Sequence, residues 1–216
     1  MIKKHKAALI TTSLIILIPI LIGLLVWDQL PEQVPFHWGI NGEVDAWASK
    51  PKAVFLMPCV VLALHWVCIF ASCADPRSKN YHPKSLMLAM WICPGVSLLL
   101  NTMVYATALG CPVDVKLLMP LFMGALFIVI GNLLPKMRQS YTMGIKLPWT
   151  LHNEENWNKT HRFGGKVMVA GGVFILSTAI WGNFWILIGA LLVMLLLPTI
   201  YSYRLYRKQM ARGDGK

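Results

Sequence analysis

Charge is what this sequence has least of. Lysine, arginine, aspartate and glutamate make up 13% of its residues, against about 25% in a soluble domain. The shortage points to a bilayer rather than water as the solvent. The apolar stretches contain no aspartate or glutamate at all. The intramembrane carboxylates or titratable chains of ion-driven transporters are therefore missing. So are the paired aspartates, zinc ligands or serine–base pair of an intramembrane protease, because Ser13 and Ser97 have no nearby histidine in the sequence. No nucleotide-binding motif is present. The five cysteines (Cys59, Cys68, Cys73, Cys93 and Cys111) are odd in number and lack paired metal-ligand spacing, so they are expected to pack as small buried hydrophobes. No catalytic residue, metal or cofactor is assigned, and the chain is not expected to be an enzyme.

What the sequence has instead is long apolar runs. Hydrophobic residues make up 56% of the 216, and the mean hydropathy is +0.58. The apolar residues gather in runs of about 20, the length a helix needs to cross a hydrocarbon core of about 30 Å. The runs predict an all-α, polytopic membrane protein of about six spans, at 7–27, 52–73, 85–109, 116–134, 166–181 and 184–203. The first is too long for a signal-peptide core and no cleavage site follows it. The fifth is short and is expected to draw its first turn from Phe163–Gly165. It meets the sixth in a tight turn at Gly182-Asn183. The chain divides by sequence into 1–73, with the first two spans and their loop, 74–115, with the third span, and 116–216, with the last three spans and a basic tail.

Charge placement supplies an orientation. Basic residues fall in the N-terminal tail (Lys3, Lys4, Lys6), the second loop (Arg77, Lys79, Lys84), the fourth loop (Lys136, Arg138, Lys146, Lys159, Arg162, Lys166) and the C-terminal tail (Arg204, Arg207, Lys208, Arg212, Lys216). The first loop is acidic, with Asp28, Glu32, Glu43 and Asp45, and Lys50 and Lys52 only at its far end. This alternation places both termini in the cytoplasm. It also accounts for the net charge of +11, so direct nucleic-acid binding is not expected. His65 is the one clear ionisable side chain within a span, and a hydrogen bond to a neighbouring helix is favoured over a functional role. Asn101 and Asn132 are polar, and Pro19, Pro58, Pro94, Pro120 and Pro198 are expected to kink their helices.

Two loops carry denser information. The first, on the outer side, runs from Leu30 to Lys50. Asn41-Gly42 signals a tight turn, while Pro31 and Pro35 favour extended backbone before it. The turn would set His37 and Trp38 opposite Asp45 and Trp47 in a small ordered cap, with Trp27, Trp38 and Trp47 at headgroup level. His37, Glu43 and Asp45 lack the helical or strand spacing of a metal site, and a His–carboxylate hydrogen bond that locks the loop is the favoured arrangement.

The second, on the inner side, runs from Gly131-Asn132 to Lys166. Asn153 is a plausible N-cap, with Glu154 and Glu155 in the first turn of a short helix. On that helix Trp157 and His161 share a face at i and i+4, and Gly164-Gly165 would bend the chain into the fifth span. A loop of about 30 residues suggests function. The alternative is an interfacial helix anchored by Trp149 and Trp157, with basic residues toward lipid phosphates.

Together these loops resemble the SdpI family of bacterial membrane proteins. The family's amino-terminal signature is matched by Leu30, Pro31, Pro35, His37, Trp38, Gly42, Asp45, Ser49 and Lys50. Its second signature is matched by Gly131, Asn132, Gly144, Ile145, Pro148, Trp149, Thr150, Leu151, Trp157, Thr160, His161 and Gly165. The chain departs from the family pattern at Gly39, Ser140, Lys146 and Leu147. The resemblance implies a multi-pass protein of the bacterial cell membrane that gives immunity to a secreted, hydrophobic, membrane-active killing peptide. It also implies signalling that holds a small winged-helix autorepressor at the membrane. The residues expected to bind ligand are His37, Trp38, Gly42, Asp45, Trp47 and Lys50. The expected cytoplasmic motif is Asn132, Gly144, Lys146, Trp149, Thr150, Trp157, His161, Arg162 and Gly165. A transporter that exports or flips an amphipathic substrate is the alternative function.

Overall fold

The structure, a computed structural model, describes residues 5–181 and 183–212. Lys3, Lys4 and Lys216 of the charge pattern, and Gly182 of the expected turn, lie outside the described residues. Six helices among the described residues are long and apolar enough to cross a membrane: Lys6–Leu25, Lys52–Ala74, Pro83–Ala108, Val115–Lys136, Glu154–Ile180 and Phe184–Ala211. A helix satisfies its own backbone, the one requirement lipid imposes on every spanning segment. Within the full element order, α1 is Lys6–Leu25, α2 Met57–Ala74, α3 Pro83–Ala108, α4 Val115–Leu133, α5 Pro148–His152, α6 Glu154–Trp181 and α7 Phe184–Ala211. Two strands, β1 (Gln33–Trp38) and β2 (Val44–Ser49), join α1 to α2.

The chain forms two compact units. The first comprises residues 1–73 and 87–115, and its polar contacts run between helices. The Ser97 hydroxyl of α3 donates to the Ile16 carbonyl at 3.0 Å and the Tyr105 hydroxyl to the Pro19 carbonyl at 2.9 Å. Both reach α1 around its internal proline, where neighbouring helices are needed to satisfy disturbed backbone. His65 of α2 is fully buried and lies 3.2 Å from the Thr12 hydroxyl of α1, the interhelical hydrogen bond its sequence position favoured. Pro58 has no N–H to offer the Val54 carbonyl, and the chain enters α2 through a π turn at Lys52–Leu56. Leu30, Val34, Ala53, Val54, Val104 and Tyr105 form this unit's buried cluster, with Trp27 and Trp38 packed against it. The cluster seats the base of the β1–β2 ribbon on the helix ends.

The second unit comprises residues 74–86 and 116–216. Here α4 and α6 approach through glycines. A Cβ on Gly124 would lie 2.7 Å from the Gly172 carbonyl, and one on Gly165 would lie 2.7 Å from the Gly131 carbonyl. The four positions repeat every seven residues on each helix, the small-residue seam that lets membrane helices pack backbone to backbone. Along the α6–α7 pair, Phe163 stacks on Tyr201 with centroids 4.4 Å apart, and Ile175, Ala190 and Met194 are buried together.

Two expectations change. Gly164-Gly165 does not bend the chain: α6 is one continuous helix of 28 residues. These glycines are needed for space, since a Cβ on Gly164 would lie 2.7 Å from Ile145 and one on Gly165 would strike Gly131 and Pro135. The cysteines are also not buried, because Cys59, Cys68 and Cys111 are exposed and Cys73 and Cys93 intermediate. On α2, that exposed surface is the one a bilayer would cover.

Candidate functional site

The first candidate site is the antiparallel β1–β2 ribbon, which pairs Gln33 with Ser49 and Trp38 with Val44. Residues 39–43 close it: the Gly39 N–H donates to the Glu43 carbonyl at 2.8 Å and the Gly42 N–H to the Gly39 carbonyl at 2.9 Å. Gly42 adopts φ +72° while Asn41 stays at negative φ, so only the glycine uses the left-handed region. His37 Nδ1 and Asp45 Oδ1 lie 2.6 Å apart across the ribbon. Gly39, one of the departures from the family pattern, faces that same aspartate, with a Cβ there 3.0 Å from Asp45 Oδ2. The favoured His–carboxylate pairing is therefore present. Among the described residues, no three His, Cys, Asp or Glu groups converge as metal ligands would.

The remaining residues of the ribbon divide by exposure. Lys50 is only 7% exposed. Its ammonium lies 5.3 Å from the Trp27 ring centroid and 3.5 Å from Glu32 Oε1, and its N–H donates to the Glu32 carbonyl at 3.1 Å. It closes the base of the ribbon. Trp38 is half-buried against the helix-end cluster. Trp47 is 57% exposed and Ile40 48% exposed, so these two present apolar surface outward.

The second candidate site is built from the α4–α6 connection, α5 and the polar ends of α6 and α7. Asn153 caps α6, its Oδ1 accepting the Asn156 N–H at 2.8 Å, as the sequence suggested. Trp157 and His161 stack with centroids 3.9 Å apart and are 0% and 1% exposed. Trp157 Nε1–H donates to the Met137 carbonyl at 2.8 Å. His161 Nε2 accepts the Ile145 N–H at 3.0 Å. Beside them Gly144 sits at φ +106°, and any Cβ there would overlap His161 Nε2. Thr150, fully buried, donates to the Ile145 and Leu147 carbonyls and accepts the Leu147 N–H at 2.9 Å, which turns the chain into α5.

Trp149 and the ends of α6 and α7 complete it. Trp149 Nε1–H donates to Ser202 Oγ at 2.9 Å, and its ring stacks on Tyr206 at 5.5 Å. Ser202 in turn donates to Asn156 Oδ1 at 2.8 Å. Asn156 Nδ2 donates to the Ser202 carbonyl and to Gln209 Oε1, each at 3.2 Å, and Thr160 donates to Asn156 Oδ1 at 3.0 Å. A buried polar network of this kind is favourable only when its members are satisfied, and each of these is. Burial thus excludes Trp157 as a lipid-facing anchor, while Trp149 is half-buried on α7.

Other residues named from the sequence lie apart from this network. Asn132, Lys146 and Arg162 are exposed. Lys146 Nζ donates to the Thr142 carbonyl at 3.2 Å. Gly165 serves the α4 crossing.

Sequence reasoning missed the α2–α3 connection. Asp75 is 4% exposed. Its Oδ1 accepts the Arg77 N–H at 2.8 Å. Its Oδ2 accepts the Tyr81 hydroxyl and the Tyr141 N–H at 2.8 Å, and the N–H and hydroxyl of Thr142 at 3.1 Å. Burial pushes its carboxyl up, but the bonds from Tyr81, Arg77, Tyr141 and Thr142 outweigh burial and hold it below the usual carboxylate range. Arg77 Nη1 donates to the Leu151 carbonyl at 3.4 Å and lies over the Tyr141 ring at 4.8 Å. Nothing local to Asp75 in the sequence announces partners more than sixty residues away. The Asn153, Asn156 and Thr160 stripe on α6 was visible at helical spacing, and so was Ser202 with Gln209 on α7.

Two family models match the chain in the regions of these sites. The SdpI/YfhL protein family matches residues 136–202, and a domain of unknown function, DUF1648, matches residues 14–62. The chain is also 29% identical over 207 residues to the immunity protein SdpI of Bacillus subtilis (strain 168), covering 92% of this chain and 96% of that protein. The chain is similar to the SdpI family in both regions and along nearly its whole length. No solved structure matches it. The first match covers α5, α6 and α7 as far as Ser202, leaving Tyr206 and Gln209 of the polar site beyond it, and the second ends within α2, past the ribbon. Six spans and this similarity make the chain a multi-pass membrane protein.

Proposed function

We propose that this chain protects a bacterial cell from a secreted, membrane-active killing peptide, without catalysis, and that it also signals by holding a small winged-helix repressor at the membrane. The observation that carries the protective reading is the near full-length similarity to the immunity protein SdpI, 29% identity over 92% of this chain. Orientation follows from charge. The α4–α6 connection and the start of α6 expose Lys136, Arg138, Lys146, Lys159 and Arg162, whereas the ribbon exposes Glu32, Glu43 and Asp45. The positive-inside rule then puts both termini in the cytoplasm and the ribbon outside.

On the outer face, Trp47 and Ile40 offer apolar area to an amphipathic peptide, and tryptophan does so with little ordering cost. The acidic residues of the ribbon attract a cationic peptide before contact. His37, Asp45 and Lys50 hold the shape, and Gly42 makes the turn. On the inner face the buried residues Thr150, Trp157 and His161 build the surface, and the exposed Lys146 and Arg162 are available for a partner to touch.

The test is survival. The chain is expressed in a sensitive bacterium and challenged with candidate secreted peptides, and the peptide is recovered and weighed by mass spectrometry. Survival with the peptide chemically intact supports immunity without catalysis. Survival with the peptide cleaved or modified would make the chain an enzyme, and no survival with any peptide would remove the protective reading.

A further inference from the structure

Asp75 matches neither loop signature and is part of neither contact surface just proposed. Yet it is the most heavily bonded carboxylate among the described residues, with five donors converging on two oxygens. A carboxylate is acceptor-only and so fits five donors. An amide in its place would turn two hydrogens toward groups that are themselves donors. Three of the five bonds come from Tyr141 and Thr142, inside a segment, residues 137–147, that has no helix or strand of its own. That segment lies on the Trp157–His161 pair. Ile145 bonds His161, and Gly144 packs so closely that a Cβ would come 2.9 Å from the Trp157 ring. The pair is buried with this segment across it. The Tyr81 hydroxyl donates to Asp75 and lies against the Thr142 hydroxyl, so the α2–α3 connection meets the segment at two points. Asp75 follows the last residue of α2 directly.

We propose that Asp75 is a positioning residue: its carboxylate latches residues 140–145 over the Trp157–His161 pair, and opening of the latch uncovers that pair for the signalling partner. What the uncovered state does rests on the signalling reading above, whereas the latch itself does not. A charge-assisted hydrogen bond to a buried group is among the stronger bonds in a folded chain. Its loss lets the segment open locally while the rest of the fold stays closed.

The test uses the full chain in lipid nanodiscs, where both faces are open to trypsin, and follows cleavage after Arg138 and Lys146, both exposed. Asp75→Asn is expected to raise that cleavage rate about tenfold or more. Asp75→Glu, which keeps the charge, is expected to restore part of the protection from trypsin. Thr142→Val, which removes one donor and keeps the Thr142 N–H bond, is expected to fall between wild type and Asp75→Asn. In cells, Asp75→Asn should leave peptide protection and membrane abundance near wild type and fix the membrane-bound fraction of the repressor at one level with or without peptide. A wild-type cleavage rate in Asp75→Asn overturns the latch. Protection and repressor retention falling in parallel with abundance overturns its positioning role. If Asp75→Asn fails to accumulate, Thr142→Val and Tyr81→Phe decide the question by the same cleavage criterion. Failure of the immunity reading would show as no protection by the wild-type chain, with the trypsin result unaffected.

Discussion

The Ile145 N–H donates to Nε2 of His161 at 3.0 Å, so that nitrogen carries no hydrogen and the imidazole is neutral. Its Nδ1 then holds the hydrogen and donates to the Trp157 carbonyl at 2.8 Å. One backbone amide in an irregular segment thereby sets both the tautomer and the position of a buried ring on α6. Gly144 is the residue that allows the approach.

Gly144→Ala therefore meets two obstacles, φ +106° and overlap with His161. Gly110 has φ +80° with nothing within 4 Å of a Cβ, so Gly110→Ala meets only the backbone penalty. The expected cost is about 1 kcal/mol at Gly110 and more than about 3 kcal/mol at Gly144 once steric overlap is added. Thermal unfolding of the two variants in detergent measures the difference. Equal midpoints would contradict the close packing of Gly144 on His161.

Trp157→Ala removes a fully buried ring and a donor to the Met137 carbonyl, with an expected loss of about 3–5 kcal/mol. Trp157→Phe keeps most of the packing and loses about 1 kcal/mol. Arg162→Ala, at an exposed position, is expected to leave membrane abundance unchanged and to lower repressor retention selectively. Quantitative membrane immunoblots beside the retention assay separate these outcomes. A drop in abundance for Arg162→Ala as large as for Trp157→Ala would remove the distinction between supporting and contacting residues.

The segment held by Asp75 should not respond to physiological pH. Its folded carboxyl lies below the ordinary aspartate value, so its contribution is fully present above that value and is lost only as pH falls through the lower, folded one. Trypsin protection at Arg138 and Lys146, corrected for the protease's own pH profile, is expected to be flat between about pH 6 and pH 8. A loss of protection across that interval would assign the latch to a different titrating group.

The span pattern was legible because a bilayer demands about 20 apolar residues per crossing, and the charge asymmetry was legible for an equally simple electrostatic reason. The His37–Asp45 pair could be read because a single turn at Gly42 brings the two strands together. Trp157 and His161 could be read because i and i+4 share a helix face. Asp75 could not, since its partners Tyr141 and Thr142 become neighbours only after several helices have packed. Gly164-Gly165 misled for a related reason. A glycine pair reads locally as a bend, but here α4 crosses so close that only hydrogen fits, and the helix continues through it.

Orientation is open to direct labelling. In a background without the five native cysteines, single cysteines at Glu43 and Arg138, both exposed, are expected to react with an impermeant reagent from opposite sides. Glu43→Cys should label in intact cells and Arg138→Cys only after permeabilisation. Labelling of both in intact cells would contradict six crossings with cytoplasmic termini.

The central claim is that the ribbon is where the killing peptide is recognised, and the most direct measurement is survival of a variant with residues 35–45 replaced by a flexible Gly/Ser linker. Val34, fully buried in the helix-end cluster, and Lys50 are retained, so the base of the loop and the membrane helices are left in place. At membrane abundance equal to wild type, the account predicts loss of protection, with Trp47→Ala alone producing most of the same loss and the membrane-bound repressor fraction no longer changing with peptide. Full protection by the linker variant at equal abundance would contradict the account and place recognition within the helices.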